Sequence, residues 1–214
     1  MITDSMSAGY QNYSDHNYSD KQMTLCRPPL WYTSQSMKTL KIKTTWGTIT
    51  LTLDGDQVIG CSLPFLKTTP RREFIIDGFQ TLENNGVTAQ RFAAQVQSFF
   101  QSSEASPDAV SPGFRTPEGT DFQKAVWGEM QKIPRGQTRT YGEIAAAIGR
   151  LKAVRAVGSA CGANPIPLFI PCHRVVAKNG LGGYGYGLPW KKLLLRMEGW
   201  SSGVREQWNT RTME

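Results

Sequence analysis

A chain of 214 residues with 39% hydrophobic side chains is long enough to bury a core, so it has no need of a disulfide scaffold. Its net charge of +7 is unevenly placed: residues 114–200 hold thirteen Lys/Arg against five Asp/Glu, and the remainder is near balance. No basic segment followed by an apolar run opens the sequence, and no stretch has the length of a membrane span, so the expected class is a soluble intracellular protein.

Residues 1–36 are poor in aliphatic side chains and rich in Ser, Tyr, Asn and Asp, with NYSD occurring twice, a composition that predicts a disordered leader. From Met37 the pattern alternates through Leu40 and Ile42, then Ile49, Leu51 and Leu53, a turn at Asp54 to Asp56, and Val58 onward. Such alternation predicts the hairpins of a small sheet. From Ala89 the apolar residues (Phe92, Ala93, Val96, Phe100) fall at helical spacing, which predicts an amphipathic helix covering that sheet. Residues 37–101 therefore read as an α/β unit, 102–117 as a linker rich in Ser, Pro and Gly, 118–200 as a second unit, mainly helical, and 201–214 as a flexible tail.

In the second unit, Thr120 with Gln123 and Thr140 with Glu143 match the capping box, so helices are predicted to start near Asp121 and Tyr141. Tyr141, Ile144, Ala145 and Ile148 share one face, and Gly149 supplies the stop. KAVRAVGSACG (152–162) reads as the next helix, with Val154, Val157 and Cys161 inward. Two short helices and a tight turn suggest a helix-turn-helix. On the outward face Arg155 stands among Ala156, Gly158 and Ser159, small enough to let a nucleic-acid backbone approach. The excess of positive charge points to the same anionic partner.

IPLFIPCHRVV (166–176) then places Cys172 beside His173 at the end of what reads as a buried strand. Burial disfavours a thiolate, so this cysteine is inert unless something activates it. A last helix is predicted from Pro189, with Trp190, Leu193, Leu194 and Met197 on one face. Glu198 falls in its final turn, where a carboxylate opposes the helix dipole and is either simply exposed or kept for a partner such as a histidine. The four cysteines, Cys26, Cys61, Cys161 and Cys172, are widely spaced without C-x-x-C, which argues against a disulfide framework and a structural zinc site.

IPCHRVV (170–176), preceded by GANPIP (162–167) and AVRAVGSA (153–160), resembles the O6-alkylguanine-DNA alkyltransferases, or methylated-DNA-protein-cysteine methyltransferases. The resemblance runs from about Thr120 to Gly199 and includes the Tyr-Gly-Glu-Ile helix and the late Glu. It implies a ribonuclease-H-like α/β domain in front of a mainly helical DNA-binding domain with a helix-turn-helix. It also implies single-turnover transfer of an alkyl group from O6-alkylguanine, and from O4-methylthymine, in double-stranded DNA. No cofactor or metal, a monomer, and a cytoplasmic location (nuclear in a eukaryote) go with it. By this resemblance Cys172 is the acceptor, His173 its base through a water, and Glu198 the group that orients His173. Asn164 orders the loop and Tyr141 donates a hydrogen bond to the guanine. Arg155 fills the gap left by the extruded base, with Ser159, Ala156 and Gly158 along the DNA. Val175 and Gly185 give backbone contacts to the base, and Tyr184 forms part of the pocket wall.

The residue types suit that chemistry. Displacement at an alkyl carbon needs a soft nucleophile, which cysteine provides as thiolate once a base takes its proton. Histidine does so near neutral pH when a carboxylate stabilises its charged form. A guanine inside a duplex is out of reach until it is flipped.

Three features depart from the family pattern. Tyr186 stands where many members have glycine, so it is expected to narrow the pocket against bulky adducts. The cysteines for a zinc module, and the phosphotriester activity that goes with it, are absent. The leader matches nothing in the family, and Met37 opens the folded pattern, which fits a start codon set upstream of it. A lesion-binding protein without chemistry would lack Cys172. A Cys-His hydrolase is disfavoured because adjacent Cys and His rarely form a working pair.

Overall fold

The computed structural model describes residues 37–69, 80–81, 87–101, 114–115 and 117–200. The predicted leader, most of the linker and the tail lie outside the described residues.

The alternating pattern folds as strands. β1 (Met37–Thr44), β2 (Gly47–Asp54) and β3 (Gln57–Ser62) form an antiparallel meander, and β4 (Gln80–Thr81) pairs antiparallel with the free edge of β1, giving the order β3-β2-β1-β4. The β1–β2 register sets Leu40 opposite Leu51 and Ile42 opposite Ile49, so the apolar residues share one face and are buried there. α1 (Val87–Gln101) buries Phe92, Val96, Phe99 and Phe100 in the same core. Phe100 also packs on Trp46 of the β1–β2 turn, with ring centroids 5.4 Å apart.

The second unit follows its caps. α2 (Asp121–Gln131) and α3 (Tyr141–Ala147) each begin with a complete capping box. The Gln123 and Glu143 amides donate to the hydroxyls of Thr120 and Thr140, and the Thr120 and Thr140 amides donate back to the Gln123 and Glu143 side chains. α3 ends as expected, with Gly149 at φ +69°. α4 (Val154–Gly162) follows, and the indole of Trp127 on α2 donates to the Ala160 carbonyl at 2.9 Å, fixing those two helices together. Val154 differs from the inward position its spacing predicts. It opens α4 directly after the turn in which the Ala153 amide donates to the Arg150 carbonyl, and is 41% exposed, while Val157 and Ala160 form the buried face.

The segment before Cys172 also differs from the expected strand. Residues 166–170 form a turn in which the Phe169 and Ile170 amides both donate to the Ile166 carbonyl. Pro165 and Pro167 have no N–H to offer a strand ladder, and the chain turns where they stand. The strand comes later: β5 (Arg139–Thr140) pairs parallel with β6 (Val175–Val176), which sets Tyr141 at the head of α3 beside the Cys172 segment. α5 (Leu188–Met197) closes the unit, burying Trp190, Leu193, Leu194 and Met197.

Candidate active site

Cys172 opens a single 3₁₀ turn, Cys172–Arg174, and is buried, 7% exposed. Asn164 holds the approach to it. Its Nδ2 donates to the Ile170 carbonyl at 2.7 Å, and its Oδ1 accepts from the Ile166 amide at 3.1 Å, so one buried amide closes the turn from both ends. The Cys172 amide donates to the same Ile170 carbonyl at 2.8 Å. Burial pushes the Cys172 thiol up from its ordinary value, and Asn164, Lys191 and Tyr184 oppose that rise.

His173 and Glu198 are both fully buried at their side chains, with His173 Nε2 2.8 Å from Glu198 Oε1. Arg174 completes the cluster: its Nε lies 2.9 Å from Glu198 Oε2, its Nη2 donates to Oε1 at 2.8 Å, and its Nη1 donates to the Ile133 carbonyl at 2.6 Å. Burial by itself raises the Glu198 carboxyl, but His173 and Arg174 outweigh it and bring it down to about 2. Burial holds His173 below its ordinary value against the pull of Glu198, so the ring rests neutral beside an ionised carboxylate. With Nε2–H donated to Glu198, Nδ1 is left as an acceptor, and it has no hydrogen-bond partner among the described residues. The carboxylate at the unfavourable end of α5 is thus kept for a histidine, one of the two alternatives that the sequence left open.

A second cluster lies around Tyr141. Its hydroxyl donates to the Gly183 carbonyl at 3.3 Å, and burial, reinforced by Cys161 and Cys172, pushes its phenol up to about 12. Gly182, at φ +69°, lies against the ring, and a Cβ there would sit 2.8 Å from Tyr141 Cε2, so only glycine fits. The Tyr184 ring is buried, and its hydroxyl makes no hydrogen bond of regular geometry among the described residues. Lys191 is a residue that the sequence reading missed. It is wholly buried on α5, with Nζ donating to the Val175 carbonyl at 2.6 Å and to the Gly183 carbonyl at 3.0 Å, and it stands 5.9 Å from the Tyr141 ring centroid. Burial lowers its ammonium to about 8 despite the nearby thiols Cys172 and Cys161. The signal was present in the heptad spacing, which puts Lys191 on the same inward stripe as Leu194, Leu195 and Glu198. Arg174 stood within the Cys-His motif but was given no role.

Tyr186 is half-buried. Its hydroxyl donates to the Cys61 carbonyl of β3 at 2.9 Å, a reach that the expectation of a narrowed pocket did not foresee. Gly185 lies between the two tyrosines, half-buried. Away from this pocket, Arg155, Ala156 and Ser159 are exposed on α4 with Gly158 half-buried among them, and the Ser159 hydroxyl donates back to the Arg155 carbonyl at 3.3 Å. The buried Cys172 and the exposed Arg155 are therefore carried by different faces of the same unit.

Residues 121–200 match the model of the 6-O-methylguanine DNA methyltransferase DNA-binding domain. A probable methylated-DNA-protein-cysteine methyltransferase of Acanthamoeba polyphaga mimivirus is 60% identical over 81 residues, 38% of this chain and 54% of that protein. The chain thus spans about half the length of this relative, and the same holds for one from Methanosarcina acetivorans. The match to the methyltransferase of Methanosarcina barkeri is longer, 44% identical over 137 residues, 64% of this chain and 82% of that protein. Among solved structures, Mycobacterium tuberculosis OGT in complex with DNA is 35% identical with a TM-score of 0.59, over 74% of this chain and 90% of that one. A relative matched over four-fifths of its length at this identity, together with a fold shared over 74% of this chain, places the chain in the methylated-DNA-protein-cysteine methyltransferase family.

Proposed function

We propose that the chain repairs double-stranded DNA by direct reversal, taking the alkyl group of O6-alkylguanine onto Cys172 in a single irreversible turnover, with O4-methylthymine as a second substrate. One observation carries this reading: a buried cysteine precedes a neutral, buried histidine whose Nε2 is bound to an ionised carboxylate and whose Nδ1 has no hydrogen-bond partner among the described residues.

Nδ1 of His173 takes the thiol proton through a bridging water, and Glu198 stabilises the imidazolium that forms. The thiolate attacks the alkyl carbon, an S–C bond forms, and the C–O6 bond breaks with its electron pair passing to the guanine. Tyr141 shares the charge that develops on the leaving base and helps return a proton to it. The thioether does not revert, so the protein is consumed. Val175, Tyr184 and Gly185 line the base's position, and Lys191 holds the Val175 and Gly183 carbonyls from behind.

DNA meets the exposed face of α4. Arg155 fills the gap in the stack, and Ala156, Gly158 and Ser159 permit close approach. The pairing of α3 with α4 supports a helix-turn-helix, and the strand order β3-β2-β1-β4 with α1 in the same core supports the ribonuclease-H-like reading of the first unit. Among the described residues no helix is long and apolar enough to cross a membrane. A monomer acting in the cytoplasm, or in the nucleus of a eukaryote, fits a duplex DNA substrate.

Mass spectrometry of the intact chain after incubation with duplex O6-methylguanine DNA tests the reading. One methyl per chain on Cys172, lost in Cys172→Ala while duplex binding persists, is expected. An unchanged mass with intact binding overturns it in favour of a lesion-binding role.

A further inference from the structure

Tyr186 has a chemical identity and a partner that the proposed chemistry does not use. It lies two residues beyond Tyr184, with the two ring centroids 6.2 Å apart. The Gly187 amide donates to the Tyr184 carbonyl at 3.0 Å, so residues 184–187 form one tight turn. The Tyr186 hydroxyl leaves that turn for the Cys61 carbonyl of β3, at a sequence separation of 125.

Cys61 is engaged on its other side as well. Its amide donates to the Pro165 carbonyl at 2.8 Å, and Pro165 follows Asn164, the residue that closes the turn before Cys172. A single β3 peptide region therefore joins the two segments that flank the acceptor, the Asn164–Pro165 turn and the Tyr184–Gly187 turn. Close by, the Trp190 indole donates to the Pro64 carbonyl at 2.6 Å, which ties the continuation of β3 to α5.

We infer that Tyr186 is a positioning residue, one whose bond to β3 makes the N-terminal sheet part of the acceptor site by holding the Tyr184 turn against Cys172. This rests on Cys172 being the alkyl acceptor. The Gly183 carbonyl, one residue before Tyr184, already takes bonds from Tyr141 and Lys191, so residues 183–187 are held at one end by the helical unit and at the other by the sheet. Releasing the second anchor lets the turn drift, and with it Tyr184. The effect falls on the step after DNA is bound, because the exposed face of α4 has no part in this clasp.

Single-turnover methyl transfer from duplex O6-methylguanine, measured across DNA concentrations on the full chain, tests the inference. The parent must first gain a methyl on Cys172; if it gains none, the proposed function falls before Tyr186 is reached. Tyr186→Phe removes one hydroxyl and keeps the ring. Its saturating rate should fall about two- to tenfold, the worth of one hydrogen bond, with the half-saturating DNA concentration unchanged. Tyr186→Gly separates the clasp from a pocket-narrowing ring: a clasp predicts slower transfer of both methyl and benzyl groups. A parental saturating rate in Tyr186→Phe, a loss confined to DNA affinity, or faster benzyl transfer in Tyr186→Gly with methyl transfer intact would each overturn the inference.

Discussion

A carboxylate at the C-terminal end of a helix is repelled by the helix dipole, and Glu198 is held there by what it binds. Its pairs with His173 and Arg174 lower it to about 2 against 4.5 for a free glutamate. The folded value lies below the unfolded one, so the stability it contributes is complete above about 4.5 and is lost as the pH falls toward 2. His173, held below 6.5 by burial, acts with the same sign, since the unfolded ring takes its proton first as the pH drops. Melting curves of the parent between pH 7 and pH 3 should therefore show a steep acid loss that Glu198→Gln flattens. At neutral pH that variant should be less stable and should transfer methyl on the order of a hundredfold more slowly, because His173 loses its charge partner and Arg174 is left buried without one. Lys191 works differently, as a cation that favours the Cys172 thiolate at a site where burial disfavours it. Lys191→Met removes that charge, so the pH–rate profile of methyl transfer should shift to the alkaline side, with a loss of about tenfold at pH 7. An unshifted profile would limit Lys191 to holding the two carbonyls.

At the scale of elements, what the sequence revealed was what local chemistry decides. The capping boxes at Thr120 and Thr140 contain both partners within three residues, and α2 and α3 begin where those boxes place them. The period-2 run from Leu40 to Leu53 and the helical spacing from Phe92 to Phe100 are equally local, and both elements formed. Two elements were misread because their surroundings were unseen. Val154 has the right spacing for an inward residue but opens its helix, and residues 166–170 are apolar enough for a strand but are closed into a turn by Asn164. The contact of His173 with Glu198 was legible through motif and resemblance. Lys191 was hidden because a lysine among leucines normally lies at the edge of a helix face rather than beneath it. The exposed face of α4 allows its own test. Arg155→Ala should slow repair of duplex DNA far more than reaction with the free alkylated base, because only the duplex requires extrusion, at a cost of a few kcal/mol. Equal slowing on both substrates would make Arg155 part of the pocket chemistry.

For the whole molecule, the charge that pointed to DNA must be divided by where it ended up. Of the thirteen cations in residues 114–200, Arg135, Arg174 and Lys191 are buried, and each donates to backbone carbonyls or to Glu198 rather than facing solvent. Arg115 pairs with Asp54, and Lys132 and Arg139 share Glu129. Arg150, Lys152 and Arg155 are exposed around the start of α4 and carry no ion pair among the described residues. Net charge therefore overstates the surface that can meet a phosphate backbone; Lys124, Lys178 and Arg196 are exposed elsewhere, and three exposed cations stand together at the start of α4. Each phosphate neutralised there releases counterions, so log affinity should fall linearly with log salt by about 0.9 per contact. If Arg150 and Lys152 each bind one phosphate while Arg155 enters the stack, Arg150→Ala with Lys152→Ala should reduce the magnitude of that slope by about 2. Fluorescence anisotropy of a labelled duplex across salt concentrations measures it. The double variant should lose affinity to the same degree for damaged and undamaged DNA, because phosphate contacts position the protein without reading the base. A slope unchanged by the double substitution would move the DNA-binding face away from the start of α4.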